Sequence, residues 1–226
     1  MCGRFALTAP ASTITEIFQV DVLPDILPRY NVAPTTQVAA IVEEDGVRQM
    51  QTFKWGLIPF WAKDAKIGNK MINARGETAA SKPAFRAAFK KRRVLIIADG
   101  FYEWTREGKN KLPHLIGMKD DKPFAMAGLW ERWTNKETDE EVRSCSIITI
   151  GPNELMGPIH DRMPVILDPA DWDLWLDESV NDKDALQELI RPFPADRMKE
   201  RRVSKLVNNV RNQGAELQAP FDGEDE

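Results

Sequence analysis

The chain has 226 residues, of which 42% are hydrophobic and 29% charged, a composition typical of one large or two small globular domains. No apolar run approaches the ~20 residues that a membrane-spanning helix needs, and the first ten residues lack the apolar core of a signal peptide. We therefore expect a cytoplasmic protein with no membrane partner. The formal net charge of −4 does not exclude nucleic acid, because four acids fall in the last five residues and binding needs only a local basic groove.

The first elements predicted along the chain are a short helix, a loop and a hairpin. Thr13 and Glu16 have the spacing of a capping box, which predicts a helix up to Phe18. Three prolines between residues 23 and 34 predict a loop. The turn Asp45-Gly46, flanked by extended segments over 37–42 and 47–55, is a strong hairpin signal.

The remaining elements predict a β-rich α+β fold with short peripheral helices. We expect a helix over 84–91, followed by a buried strand, a Gly turn and a second extended piece over 94–104. Further strands are predicted over 123–130 and 142–150, and short helices over 171–176 and 183–190. Segment 207–217 is ambiguous, and the strand order does not follow from this pattern. We expect a single domain over residues 1–221 and a disordered acidic tail over 222–226.

The two cysteines, Cys2 and Cys145, do not form a disulfide framework and should be free thiols in a reducing compartment. Together with His114 and His160 they are the only soft ligands in the chain, and none has the spacing of a zinc site. We expect neither a metal nor a cofactor.

Cys2 follows Met1, and an initiator methionine is normally removed when the next residue is small. Cys2 would then carry an α-amine with a pKa of about 8 beside its thiol. The amine can attack an aldehyde to give a Schiff base, and the thiol can close a five-membered thiazolidine ring. Two alternatives remain open: an N-terminal nucleophile for amide hydrolysis, and a small buried residue without a chemical role.

The segment MINARGET places Asn73 and Arg75 on one face of an extended stretch. Asn73 could donate to a substrate oxygen and Arg75 could bind a phosphate. The alternative is a turn with an ion pair. In ADGFYEW, Glu103 lies between Tyr102 and Trp104, which favours a raised pKa and general acid–base work; the alternative is an exposed glutamate on an edge strand.

In PIHDRMPVIL, His160 and Arg162 lie between apolar residues. His160 could shuttle a proton near neutrality, and Arg162 could bind a phosphate. The other histidine, His114, lacks charged neighbours and is interpreted as structural.

Aromatic and basic residues alternate around Trp61 and over residues 82–93, which contain six bases with Phe85 and Phe89. Aromatic platforms beside cations are typical of single-stranded nucleic acid binding. The alternative is an amphipathic helix whose phenylalanines face the core, which we favour for Phe89. No motif for sequence-specific reading of a duplex is present.

Taken together, the motifs resemble one known family. MCGRF, RYNVAP, WGLIPFW, INARGET, ADGFYEW, IHDRMP and NNVRNQG occur in this order across nearly the whole chain. This pattern is similar to the SRAP family, the SOS-response-associated peptidases, which crosslink to abasic sites in single-stranded DNA.

The resemblance implies a compact α+β fold with twisted antiparallel sheets in a barrel-like core, and a positively charged surface for DNA. It implies Cys2 as the nucleophile exposed by removal of Met1, with Asn73, Glu103 and His160 in the active site. The DNA-contacting positions of the family fall on Arg4, Pro34, Trp61, Arg75, Phe85 and Arg162.

The residues and the resemblance together predict a monomer that crosslinks itself to the aldehyde of an abasic site through a thiazolidine. The crosslink would protect the site during the DNA damage response, with the protein associated with the nucleoid when bound to DNA. One rival is a thiol peptidase or N-terminal-nucleophile hydrolase that acts on peptide bonds, including its own N-terminus. A second rival is a noncatalytic single-stranded DNA binding module. A short-lived Schiff base with strand cleavage, a lyase activity, is a variant of the main hypothesis.

Overall fold

The computed structural model describes residues 2–21 and 28–221. The helices are α1 (Ala11–Phe18), α2 (Gly76–Ala79), α3 (Arg86–Lys91), α4 (Trp172–Leu176) and α5 (Lys183–Glu188). The strands are β1 (Phe5–Leu7), β2 (Arg29–Val32), β3 (Gln37–Glu44), β4 (Val47–Trp55), β5 (Asn73–Arg75), β6 (Arg93–Ala98), β7 (Gly100–Glu107), β8 (Asn110–Met118), β9 (Phe124–Thr134), β10 (Glu141–Ile150), β11 (Met163–Pro164), β12 (Ile166–Leu167) and β13 (Met198–Arg202).

A closed ring of five strands is the centre of the fold. β3 pairs with β4 and β6, β6 pairs with β9, β9 pairs with β10, and β10 returns to β4. The expectation of a barrel-like α+β fold is confirmed. The ring is not wholly antiparallel, however, because β10 runs parallel to β4 and to β5. Parallel neighbours need a long crossover, and here the chain from the end of β4 to the start of β10 supplies it.

A second sheet lies against this barrel, with the strand order β13-β8-β7-β1-β2 and antiparallel neighbours throughout. β1 lies between β7 and β2, with Phe5 opposite Phe101 on one side and Val32 on the other. The ring of Phe5 packs against Trp55 of the barrel, at 5.2 Å between centroids. The N-terminal strand is therefore an internal part of the fold.

β6 is buried on both faces, which explains its uninterrupted apolar sequence. Val94, Ile96 and Ala98 pack with the residues inside the barrel. Leu95 and Ile97 pack with the apolar faces of the helices on the other side.

Two local predictions show where sequence signals succeed and fail. The Asp45-Gly46 turn is confirmed: Asp45 and Gly46 have φ values of 53° and 73°, as a tight hairpin turn with two left-handed residues requires. The capping box at Thr13 is wrong, because α1 begins at Ala11 after Pro10 and has no side-chain cap. Pro10 occupies the N-cap position, and its ring has no side-chain oxygen that could accept a hydrogen bond from the first turn.

Other segments differ from the predicted loops. β2 occupies the second half of the predicted loop over 23–34, where Arg29–Val32 pairs with β1; residues 22–27 lie outside the described residues. β8 was missed because it contains Pro113, and proline normally argues against a strand. The ambiguous segment near the C-terminus forms two short 3₁₀ turns, Lys205–Asn208 and Ala215–Gln218. The predicted acidic tail lies outside the described residues. Within those ranges, no helix has the length and apolarity to cross a bilayer.

Candidate active site

Cys2 lies just ahead of β1 and is fully buried, in the apolar cluster that includes Phe5 and Trp55. Burial raises the pKa of the Cys2 thiol well above its ordinary value, and the charge of Glu103 acts in the same direction. The thiol is therefore protonated at neutral pH. A reaction at this sulfur needs a nearby group that can accept its proton.

Asn73 holds the backbone of Cys2 in place. β5 is paired with β10, with Asn73 opposite Ile147, and from there the Asn73 Nδ2 donates to the carbonyl oxygen of Cys2 at 2.8 Å. The Asn73 Oδ1 is buried and accepts no hydrogen bond from the residues that the structure describes. This oxygen is a ready acceptor for an amine or a sugar hydroxyl brought beside Cys2.

Glu103 lies on β7 and is 2% exposed. Alternation along the strand puts its side chain on the same face as Phe101, which packs in the barrel-side core. Burial raises the pKa of Glu103 to about 7, the direction that its aromatic neighbours predicted. A carboxyl group with this pKa can both accept and release a proton near neutrality.

His160 faces Glu103 from the loop before β11. Its Nε2 lies 3.9 Å from Glu103 Oε2, and its Nδ1 accepts the backbone N–H of Arg162 at 3.0 Å. The exposed carboxylate of Asp161 lies 2.9 Å from the same Nδ1 and favours the charged ring, but burial outweighs it and lowers the pKa of His160. The lowered pKa favours a neutral ring at pH 7, with Nε2 facing Glu103.

A cleft of about 360 Å³ opens beside these groups. It is lined by Gly3, Arg4, Glu103, Trp104, Arg106, Lys111, His160 and Asn208. The described residues contain no group of three or more His, Cys, Asp or Glu side chains arranged to hold a metal ion.

The model of the family described as SOS response associated peptidase (SRAP) matches residues 1–210. The chain belongs to the SRAP family. It is 46% identical over 221 residues to the abasic site processing protein YoqW of Bacillus subtilis, covering 96% of this chain and 98% of that protein. It is 34% identical to the abasic site processing protein YedK of Escherichia coli, covering 97% of this chain and 100% of that protein.

Solved structures agree with this assignment. A crystal structure of a protein from Bacteroides thetaiotaomicron superposes with a TM-score of 0.88 at 31% identity. The superposition covers 97% of this chain and 100% of that chain. The fold expected from the resemblance is thus the one observed.

Among the positions that the SRAP resemblance assigns to DNA contact, Arg4 is engaged within the protein. Its guanidinium donates to Asn31 Oδ1 at 2.6 Å and to the carbonyl of Val207 at 2.9 Å. Asn31, 1% exposed, donates in turn to the carbonyls of Val207, Asn209 and Asn212. Sequence reasoning missed Asn31, which joins the RYNVAP and NNVRNQG motifs. The only signal available was a polar residue next to apolar ones.

The two other assigned arginines differ in their partners. Arg162 forms a two-pronged ion pair with Glu77 of the INARGET motif and also donates to the carbonyl of Thr149. A phosphate bound by Arg162 would have to compete with Glu77. Arg75 is exposed, and its guanidinium makes no ion pair with the residues in the described ranges.

The aromatic and proline positions assigned to DNA contact also differ from one another, in how exposed they are. Trp61 is 49% exposed, on a loop that the Trp133 Nε1 anchors by donating to the Ala62 carbonyl at 2.7 Å. Pro34 is half-buried after β2. Phe85 is 8% exposed and packs in the helix-side core, so its ring offers little surface for a base. Its predicted role in DNA contact stays a prediction.

The basic run over 82–93 is not a continuous charged surface. Arg93 is 2% exposed, and its guanidinium donates to the carbonyls of Phe89 and Trp175. Arg92 pairs with Glu131 at 2.9 Å. The last two bases of the run therefore stabilise the packing of α3, and only the earlier ones face solvent.

Proposed function

We propose that this SRAP protein binds DNA containing an abasic site and captures the site's aldehyde with Cys2, forming a covalent thiazolidine crosslink that shields the site. The arrangement that carries the proposal is the chain of contacts around Cys2: Asn73 donates to its carbonyl, the charge of Glu103 reaches its thiol, and His160 faces Glu103. The names of the related abasic site processing proteins support the substrate class.

In the proposed reaction, loss of Met1 turns the backbone nitrogen of Cys2 into an α-amine. The amine adds to C1′ of the opened sugar, and the resulting hemiaminal loses water to give an imine. The Cys2 sulfur then adds to the imine carbon while its proton passes to the imine nitrogen. One water is released in total, and no oxidant or reductant is needed.

Glu103 moves the protons in this sequence. Its ionised form accepts a proton from the Cys2 amine or thiol, neither of which is a good nucleophile when protonated. Its protonated form then delivers a proton to the departing hydroxyl of the hemiaminal. A pKa of about 7 allows both roles at the same pH.

His160 assists at the sugar. The neutral ring presents the Nε2 proton to the cleft, because Nδ1 accepts the N–H of Arg162. It can donate this proton to the ring oxygen as the sugar opens to the aldehyde. Asn73 keeps Cys2 in place through the carbonyl hydrogen bond and offers its second amide atom to the amine or the opened sugar.

The preferred substrate in this proposal is single-stranded DNA. The exposed rings of Phe60 and Trp61 can stack on bases only where the bases are unpaired. Because one chain contains all four reacting or positioning groups, a monomer is sufficient. We propose that the protein acts on DNA in the cytoplasm.

Two side reactions use the same groups. An imine that is not closed by sulfur can undergo strand cleavage, a lyase reaction, and reduction with borohydride would trap it. The Cys2 thiol can also attack the Met1–Cys2 peptide bond, which would confine peptidase activity to the chain's own N-terminus. Neither requires a second site.

The test is incubation with a single-stranded oligonucleotide that contains one abasic site, followed by denaturing electrophoresis and mass measurement of the adduct. We expect a mass equal to the protein without Met1 plus the DNA minus one water. Cys2→Ala should give no adduct, and neither should a variant with an alanine inserted between Met1 and Cys2. An adduct of Cys2→Ala in wild-type yield would show that the thiazolidine mechanism is wrong.

A further inference from the structure

The β7–β8 hairpin carries two cations directly opposite each other. In the register of the pair, Arg106 faces Lys111 across the ladder, and both side chains are exposed. Neither forms an ion pair with any residue in the described ranges. Residues directly opposite each other in an antiparallel pair point to the same face, so the two charges lie side by side.

Like charges in directly opposite positions destabilise a hairpin, and the one acid that lines the cleft with them, Glu103, lies three residues back on β7. The nearest acid in sequence, Glu107, lies opposite Asn110 and by alternation points to the other face. Two adjacent cations without a counter-ion form a local site for an anion with several oxygens.

This pair is continuous with the active site. Arg106 and Lys111 line the same cleft as Glu103 and His160, and Arg106 is three residues beyond Glu103, or ~10 Å along a strand. Trp104 lies between them in the sequence, and its Nε1 donates to Asn208 Oδ1 at 2.6 Å. Its indole is therefore fixed as a wall of the cleft.

We infer that Arg106 and Lys111 together bind one phosphate of the DNA strand next to the abasic nucleotide, so that the strand leaves the reaction centre along Trp104. This inference rests on the proposed function and adds a backbone contact to it. Of the basic residues that line the cleft, Arg4 is engaged by Asn31 and Val207 within the protein, whereas Arg106 and Lys111 are exposed.

The first experiment measures binding without chemistry. Single-stranded DNA containing tetrahydrofuran, an abasic analogue without an aldehyde, is titrated with protein and followed by fluorescence anisotropy between about 0.05 and 0.2 M salt. The test variant is R106Q/K111Q. The matched control is K119Q/K122Q, which removes the same charge at two exposed lysines of the β8–β9 turn, outside the cleft.

We expect the slope of log K against log salt to become shallower by ~0.7 for R106Q/K111Q, the value for one phosphate contact on a single strand, and Kd to rise roughly fourfold at 0.15 M salt. K119Q/K122Q should match the wild type. Equal slopes for the two double variants would overturn the inference. Because a like-charge pair is removed, R106Q/K111Q should melt no lower than the wild type, which excludes unfolding as the cause.

The second experiment locates the phosphate. Two shorter strands either begin or end at the abasic analogue, so that each has phosphates on one side only. The affinity difference between wild type and R106Q/K111Q should survive with one strand and disappear with the other. A difference that survives with both, or with neither, would contradict a single fixed phosphate contact.

The crosslinking assay separates failure of this inference from failure of the proposed function. At saturating protein, the wild type and K119Q/K122Q should both crosslink a reactive abasic strand, because both retain Cys2, Glu103 and His160. If the wild type itself forms no crosslink, the proposed function fails. If the wild type crosslinks but R106Q/K111Q keeps the wild-type salt slope, only the phosphate contact fails.

Discussion

The two cysteines of the chain lie in similar surroundings and differ in what they can do. Both are fully buried, and burial raises the pKa of both thiols. Cys145 is in the middle of β10, opposite Trp130 of β9, among barrel side chains. Cys2 has the amide of Asn73 on its carbonyl and the charge of Glu103 close enough to affect its pKa. Burial alone leaves a thiol inert; in the proposed reaction, the nearby Glu103 and the amine freed by loss of Met1 make the difference.

The two histidines repeat the contrast. His114 is 9% exposed, and its ring nitrogens contact Thr105 at 3.0 Å and Glu200 at 2.9 Å. Both of its nitrogens thus have partners within the fold, and Glu200 is a charged neighbour that the local sequence did not show. His160 has one nitrogen fixed by the backbone and turns the other toward Glu103 in the cleft.

The largest expected effect is the difference in crosslinking between variants of the two cysteines. Cys145→Ala should crosslink at the wild-type rate, because no reacting group is removed, with a loss of about 1 kcal/mol in unfolding free energy from the smaller core side chain. Cys2→Ala should give no crosslink at all. Both are measured by gel quantification together with a denaturant melt. A loss of crosslinking in a well-folded Cys145→Ala would break the comparison, since it would assign chemistry to the barrel cysteine.

Glu103→Gln should slow crosslinking by roughly 10²-fold, the usual contribution of a positioned acid–base group. In the wild type the rate should rise with pH through about 7 as Glu103 ionises, and the variant should lack this step. The measurement is the single-turnover rate across pH. If Glu103→Gln kept the rise in rate with pH seen in the wild type, that rise would come from the titration of another group.

The same substitution should change the pH dependence of stability. The pKa of Glu103 is about 7 in the folded chain against 4.5 for an ordinary glutamate side chain, so the folded state binds the extra proton. The wild type therefore loses stability as pH rises from about 4.5 to about 7, by an amount of the order of 3 kcal/mol. Glu103→Gln should lack that loss and be the more stable protein near pH 8, as urea melts at both pH values would show. If the free energies of unfolding of the two proteins changed with pH in the same way, Glu103 would not have a raised pKa in the folded state.

Substitution of His160 should lower the crosslinking rate, whereas substitution of His114 should lower the stability. His160→Gln should reduce the crosslinking rate roughly tenfold, less than the usual ~10²-fold of a positioned acid–base group, with little change in melting temperature. His114→Gln should do the reverse, with a normal rate and a loss of about 1 kcal/mol from its hydrogen bonds. Equal effects of the two substitutions on rate would remove the distinction.

The smallest effect is expected at Asn73. Asn73→Ala removes one hydrogen bond to the Cys2 carbonyl, worth about 1 kcal/mol, and should slow crosslinking about fivefold while leaving DNA affinity unchanged. Asn73→Asp is the matched variant, because it keeps the acceptor and loses the donor. Restoration of the rate by Asn73→Asp would show that the acceptor oxygen matters more than the contact to Cys2.

Local patterns determined much of the secondary structure and pointed to the candidate reactive groups. The Asp45-Gly46 turn needs left-handed residues, so its sequence specifies it. The apolar run in β6 predicted a buried strand, and the odd position of Cys2 pointed to amine and thiol chemistry. Glu103 beside aromatics predicted a raised pKa. Each of these signals depends on a residue and its near neighbours.

Tertiary structure alone decided the rest. The parallel pairing of β4 with β10, the role of Arg4 and Asn31 in holding the 207–212 segment, and the inward direction of Arg92 and Arg93 all depend on residues far apart in the chain. Local periodicity carries no information about which distant element covers a face. Whether a charge faces solvent, a carbonyl or a carboxylate is therefore settled only when the strands have packed together.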